Sequence, residues 1–189
     1  VSLLAGACGL PASPSPTPSH TPHATASPSA STSSPSASPS PSPGSIDCAA
    51  ASLRARLLLE TGAAGSRLPT YVFFDTATAP CALQGEPGLT LLDASGRVLW
   101  SQPAMIDAGA PRVQLTSGVV DPGSTTAPHG SATADYRLSD WCMTGTLSSV
   151  QVILPAGGSV AAAGALQLPP CLSSPGNPPL VESHAFAAA

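Results

Sequence analysis

Apolar and polar positions alternate most clearly from Ser131 to Leu138. Ala132, Ala134, Tyr136 and Leu138 fall on one side and Ser131, Thr133, Asp135 and Arg137 on the other. A period of two predicts a half-buried strand. Ser52 to Glu60 opens the same way, with Leu53, Ala55 and Leu57 set against Arg54 and Arg56, before becoming apolar. Leu, Ala and Arg also favour helix, so helix is the alternative for this segment alone. The turn from Thr61 to Gly65, which sends the chain straight toward the next apolar run, favours strand. That run, Tyr71-Val72-Phe73-Phe74, is dense in β-formers. After it, Pro80-Cys81 reads as a corner, and Leu89 to Asp93 and Arg97 to Ser101 as a hairpin about Ala94-Ser95-Gly96. Further strands are predicted at Arg112 to Leu115, Ser148 to Leu154 and Ser159 to Leu168, with a weaker last one at Leu180 to Phe186. Seven to nine short strands separated by Gly/Pro turns predict an all-β fold, an antiparallel immunoglobulin-like β-sandwich.

No aromatic residue precedes Tyr71, and Tyr71, Phe73, Phe74 and Trp100 come before Tyr136, so the largest buried surfaces should begin in this stretch. The chain before it is different in kind. Gly9 to Ser45 is almost wholly Pro, Ser, Thr and Ala, without a charge or an aromatic, and cannot bury a core. It is expected to be a disordered tether which, at ~3.1 Å per residue in a polyproline helix, reaches at most roughly 110 Å. His20 and His23 within it make a poor metal site. The first residues, VSLLAGACGL, look like the end of a bacterial lipoprotein signal, with Leu4 to Cys8 as lipobox and Cys8 as the lipid-carrying residue. An ordinary secretory signal is the alternative. The expected organisation is therefore a truncated lipobox segment over 1–8, a linker over 9–45, a β-sandwich over 46–175 and a tail over 176–189. Membrane attachment is through lipid on Cys8, since no later apolar run approaches the ~20 residues of a spanning helix.

All charged residues lie at or beyond Asp47: six Arg, no Lys, and ten Asp or Glu, for a net charge of −4. Such a balance lacks the basic footprint of a nucleic-acid binder. With Cys8 lipidated, Cys48, Cys81, Cys142 and Cys171 remain, an even set that reads as two disulfides in an exported chain. Cys48 and Cys81 flank the Ala64-Gly65 turn, and Cys142 and Cys171 flank Ala156-Gly157, so those two pairings are favoured among three. Each would stabilise the fold by roughly 3–4 kcal/mol in the chain-entropy model. Zinc is the weaker reading, because the spacing holds no Cys-x-x-Cys knuckle.

The opening Cys48, the Gly65 turn, the Tyr71 to Phe74 strand, the Pro80-Cys81-Ala82-Leu83-Gln84-Gly85 corner followed by Pro87, the Leu91-Leu92-Asp93 strand with its Gly96 turn, and the Cys142 and Cys171 pair around VQVILP form a pattern. It resembles the actinobacterial family called domain of unknown function 4232, and the corner is its most specific piece. Asp75 stands where that family often has Asn. The resemblance implies an exported or lipid-anchored protein behind a tether, and it implies no particular activity.

Reactive groups are sparse. Outside the tether there are two histidines, His129 and His184. His129 with Asp135 and a serine would be needed for hydrolysis, yet there is no Gly-x-Ser-x-Gly elbow. Asp135 and Asp140, with Arg137 between them, read as a solvated strand face and its exit turn, and Asp93 as a hairpin residue. Trp100 and Trp141 are the candidates for a surface that binds a protein or a glycan, although aromatic side chains more often complete a core. The reading is a non-catalytic binding or cell-envelope interaction module on the outer face of the membrane, or secreted, with no cofactor and no metal. The rival readings are a passive envelope structural protein and a cell-wall hydrolase using His129.

Overall fold

A computed structural model of the chain describes residues 45–62 and 65–189. The expected lipobox with Cys8, and the tether up to residue 44 with its two histidines, lie outside them. After a single 3-10 turn at Ala50–Ser52 come eleven strands: β1 Leu53–Thr61, β2 Ser66–Asp75, β3 Cys81–Leu83, β4 Gly88–Leu92, β5 Val98–Gln102, β6 Val113–Leu115, β7 Ala132–Ser139, β8 Ser149–Ile153, β9 Ser159–Ala163, β10 Leu180–Ser183 and β11 Ala187–Ala188. The fold is all-β, and Ser52 to Glu60 is strand, not helix. Two of these strands have no counterpart among the expected ones. The Pro80-Cys81 corner continues directly into β3, which pairs antiparallel with β6, and the tail ends in β11, which pairs with β7.

The main sheet runs β10-β7-β2-β1-β9-β8-β4-β5. Its pairings are antiparallel except β1 with β9, where Ala55 and Arg56 face Ala162 and Ala163 in parallel. The sheet curls so that its halves face each other: the Tyr136 hydroxyl on β7 donates across the interior to the Gly88 carbonyl at the start of β4, at 3.2 Å. The two end strands also meet, where Gln102 Nε2 of β5 donates to Ser183 Oγ of β10 at 3.3 Å. The result is a nearly closed, two-layered β structure.

Strand patterning explains which residues fill it. In β7 the alternating apolar set, Ala132, Ala134, Tyr136 and Leu138, is buried, while Asp135 and Arg137 are exposed. In β2, Tyr71 and Phe73 enter the core, where Tyr71 meets Tyr136 and Phe73 meets Phe186 in edge-to-face pairs with centroids 5.8 and 5.3 Å apart. Val72 and Phe74 point the other way and are buried too. A strand covered on both faces reads as an unbroken apolar run. Over Phe74 lies the Arg56 guanidinium, 5.7 Å from the ring centroid. Arg56 in turn holds the β6–β7 connection through Asp121 at 2.7 Å and the Ser124 carbonyl at 2.7 Å.

Both favoured disulfides form, Cys48–Cys81 and Cys142–Cys171. The β1–β2 hairpin accounts for the first, because its last pair, Leu53 with Asp75, leaves the two cysteines just beyond the ladder end. The second has a different origin from the turn at Ala156-Gly157. Ser139 of β7 pairs with Leu180 of β10, so Cys142, just after β7, meets the segment leading into β10 that carries Cys171. Two disulfides fit an oxidising, extracytoplasmic environment. Among the described residues no helix is long and apolar enough to cross a membrane.

Candidate functional site

The two tryptophans do not form one surface. Trp141 is 7 % exposed and belongs to the core cluster, with its indole N–H buried and unpartnered. That corrects its place among candidate contact residues: the turn after β7 directs it inward. Trp100 sits opposite Leu91 on β4, hence on the core-facing side, and is half-buried only because β5 ends the sheet.

A cleft of about 200 Å³ opens where the chain enters the domain. Its floor is the Ala82-Leu83-Gln84 part of the corner together with Leu154, and its walls include Asp47, Ile106 and Arg112. Backbone pairing places these elements. Cys48 N–H donates to the Ala82 carbonyl and Ala82 N–H to the Ile46 carbonyl, at 3.0 and 2.9 Å, which seats the entering chain beside β3. Gly85 takes φ +93°, and a Cβ there would fall 2.6 Å from the Met105 carbonyl oxygen, so only glycine lets the β5–β6 connection close against the corner. Gln84 Nε2 donates to the carbonyls of Ala108 and Ala110 at 3.2 and 2.9 Å. Arg112 pairs with Asp47 at 2.8 Å and donates to the Ser45 carbonyl. These polar groups are engaged in holding the walls, which leaves apolar surface for a ligand. Ile106, Ile46 and Met105, in or next to those walls, are 85, 65 and 50 % exposed.

Two other clefts open on the described residues. One of about 350 Å³ lies between Arg54, Phe74 and the Val119-Val120 stretch. The other, about 240 Å³, is lined by Thr70, Asp135, Tyr136 and His184 among others, and in it Thr70 Oγ1 donates to Asp135. His129 is exposed and lines none of these three clefts. Its expected acid, Asp135, is occupied by Thr70.

Asp93 and Asp140 serve turns and ties. Asp93 accepts from Ser95 Oγ, from the amides of Ser95 and Arg97 and from the Arg97 side chain, and these bonds, led by Ser95, lower its pKa to about 2. Asp140 adopts φ +56° and accepts from the Leu172 and Ser173 amides at 2.7 and 2.9 Å; hydrogen bonds from Ser173 and Leu172 hold its carboxyl below the usual range. It lies close to both sulfurs of the second disulfide, but oxidised cysteines offer no thiolate to a metal. Burial pushes the hydroxyl pKa of Tyr71 and of Tyr136 upward.

Ile106, Arg112 and Gln84 are the site residues that sequence reasoning passed over. Ile106 offered a signal, as a large apolar residue between Met105 and Asp107 in a stretch with no strand pattern. A search of curated proteins and of solved structures matched none. The family model described as a domain of unknown function, DUF4232, matches residues 48–176, and the corner flooring the cleft lies within that span. The chain belongs to the DUF4232 family.

Proposed function

We propose that this protein is a non-catalytic, extracytoplasmic binding module, carried at the cell envelope by lipid on Cys8, and that its corner cleft takes an apolar segment of an envelope protein. The observation that carries this reading is Ile106, a large apolar side chain 85 % exposed on the wall of a cleft floored by buried apolar residues. An apolar side chain left in water beside an apolar hollow gains by being covered. The location draws support from the two disulfides.

The test is retention of envelope proteins on the immobilised full chain. Ile106→Asp should lower retention of the bound partner by at least about tenfold, the scale of a central interface residue. Leu59→Asp, at a residue 50 % exposed on β1, should leave it unchanged. Equal retention by wild type and Ile106→Asp would refute the assignment of the cleft.

A further inference from the structure

The arginines single out a second site. Five of the six are paired with a carboxylate: Arg56 with Asp121, Arg67 with Glu60, Arg97 with Asp93, Arg112 with Asp47 and Arg137 with Glu182. Arg54 alone has none among the described residues. Arg54 is an exposed residue, and its guanidinium makes a partly buried 3.2 Å contact to the carbonyl of its own neighbour, Leu53. In a chain with more acids than bases, a guanidinium without a carboxylate is able to pair an anion.

What surrounds Arg54 gives that anion a shape. It stands opposite Phe74 on the outer side of the β1–β2 pair, at the mouth of the 350 Å³ cleft. The Val119-Val120 stretch gives the hollow its apolar surface, with Val120 82 % exposed, above a buried Phe74. The wall is held in place: Gly118 N–H donates to the Asp75 carbonyl at 3.0 Å, and Asp121 is bound by Arg56 and by the Gly123 amide. Asp121 is the acid on the rim, and its charge is already matched by Arg56. Thr76 spends its hydroxyl proton on the Ser52 carbonyl, so toward the cleft its oxygen is an acceptor, and Arg54 is the charged donor for a ligand.

We propose that this cleft binds an apolar monocarboxylate, a medium-chain acyl carboxylate, with its head on Arg54 and its chain against Val119 and Val120. A guanidinium pairs a carboxylate in two parallel hydrogen bonds, while a neutral headgroup forfeits the charge. The volume is at the lower end of small-ligand pockets, which favours a small molecule over a folded partner. The site is separate from the corner cleft and does not depend on it.

Titration of the full chain with sodium octanoate, followed by amide NMR shifts, tests the assignment. Saturable shifts are expected at Gly118 to Asp121, with 1-octanol and sodium acetate each binding at least about tenfold more weakly, because each lacks one of the two recognised features. Arg54→Gln should weaken octanoate about tenfold while leaving the remaining amide spectrum in place, and Val120→Ser should weaken it by a smaller factor. Absence of saturable shifts, equal binding of octanol, equal binding by Arg54→Gln, or shifts centred on the corner cleft would each overturn the proposal.

Discussion

The two disulfides join cysteines 33 and 29 residues apart, so loop length alone assigns them nearly the same value. Their surroundings differ. Cys48 and Cys81 are 2 and 3 % exposed, and backbone hydrogen bonds between Ile46, Cys48 and Ala82 bind the same two segments beside the crosslink. Cys142 is buried while Cys171 is exposed, in a stretch from Gly164 to Pro179 that carries no strand. What ties that stretch to the end of β7 is the crosslink, the Asp140 carboxylate and a Gly176 N–H to Cys142 carbonyl bond. The first bond is therefore part of the core, and the second fastens a strap. A crosslink's contribution depends on what happens to its ends once it is cut.

The largest expected effect breaks the comparison directly. Cys48→Ala with Cys81→Ala should cost about 3–4 kcal/mol, since it removes the loop constraint and empties buried volume. Cys142→Ala with Cys171→Ala should cost less, about 1–2 kcal/mol, because the strap can detach while the sheet persists. Denaturant unfolding measures both, and hydrogen exchange should rise only across residues 170–179 in the second variant, since Leu166 stays in the core and the Gln167 amide stays on Glu60. Equal losses would mean that loop length decides after all.

A smaller effect sharpens the account of the strap. The Asp140 carboxyl is held below its ordinary pKa in the folded chain, so its ties contribute above the unfolded value of about 4 and are lost as pH falls through the lowered folded value. The protection of the Leu172 and Ser173 amides, taken relative to the intrinsic exchange rate at each pH, should therefore fall on acidification in the wild type. Asp140→Asn, which keeps an acceptor and tolerates positive φ, should show little pH dependence there. Asp140→Ala should leave both amides with little protection at every pH. A wild-type profile as flat as that of the Asn variant would remove the carboxylate from the account.

The smallest effect belongs at the other end. Arg112→Gln cuts the exposed pair with Asp47, yet the backbone bonds and the buried disulfide still seat the entering chain. Stability should change by no more than about 0.5 kcal/mol in the same unfolding experiment. A larger loss would make the first end a polar strap as well.

The contrast also separates what was legible from what was not. Strand β7 could be read outright, because side chains in a strand alternate by geometry and one of its faces is solvated. Strand β3 could not: three residues after a proline carry no period, and they become strand only because Val113–Leu115 lies alongside. Phe186 was assigned to a weak last strand in the tail, yet its ring packs edge-to-face on Phe73 and is 1 % exposed. Trp141 shows the same limit. Composition can mark an indole as a core or contact residue, but the turn after β7 chooses between them. For the candidate sites, the corner motif was visible and its cleft was not, since the cleft needs Ile106 and Leu154 brought in from distant connections. Arg54 was visible as a solvated strand residue, and its lack of a partner emerged only once the other five arginines had found theirs.

By itself the sequence determined the all-β class, most strand positions and the family, and it favoured the cysteine pairing without settling it, because these follow from alternation, turn residues and motif spacing along neighbouring stretches. The parallel meeting of β1 with β9, the strap at the second disulfide, the burial of Trp141 and both clefts were decided by the tertiary structure alone. Each depends on segments far apart in the chain, and local preferences carry no record of which distant surface a segment will meet.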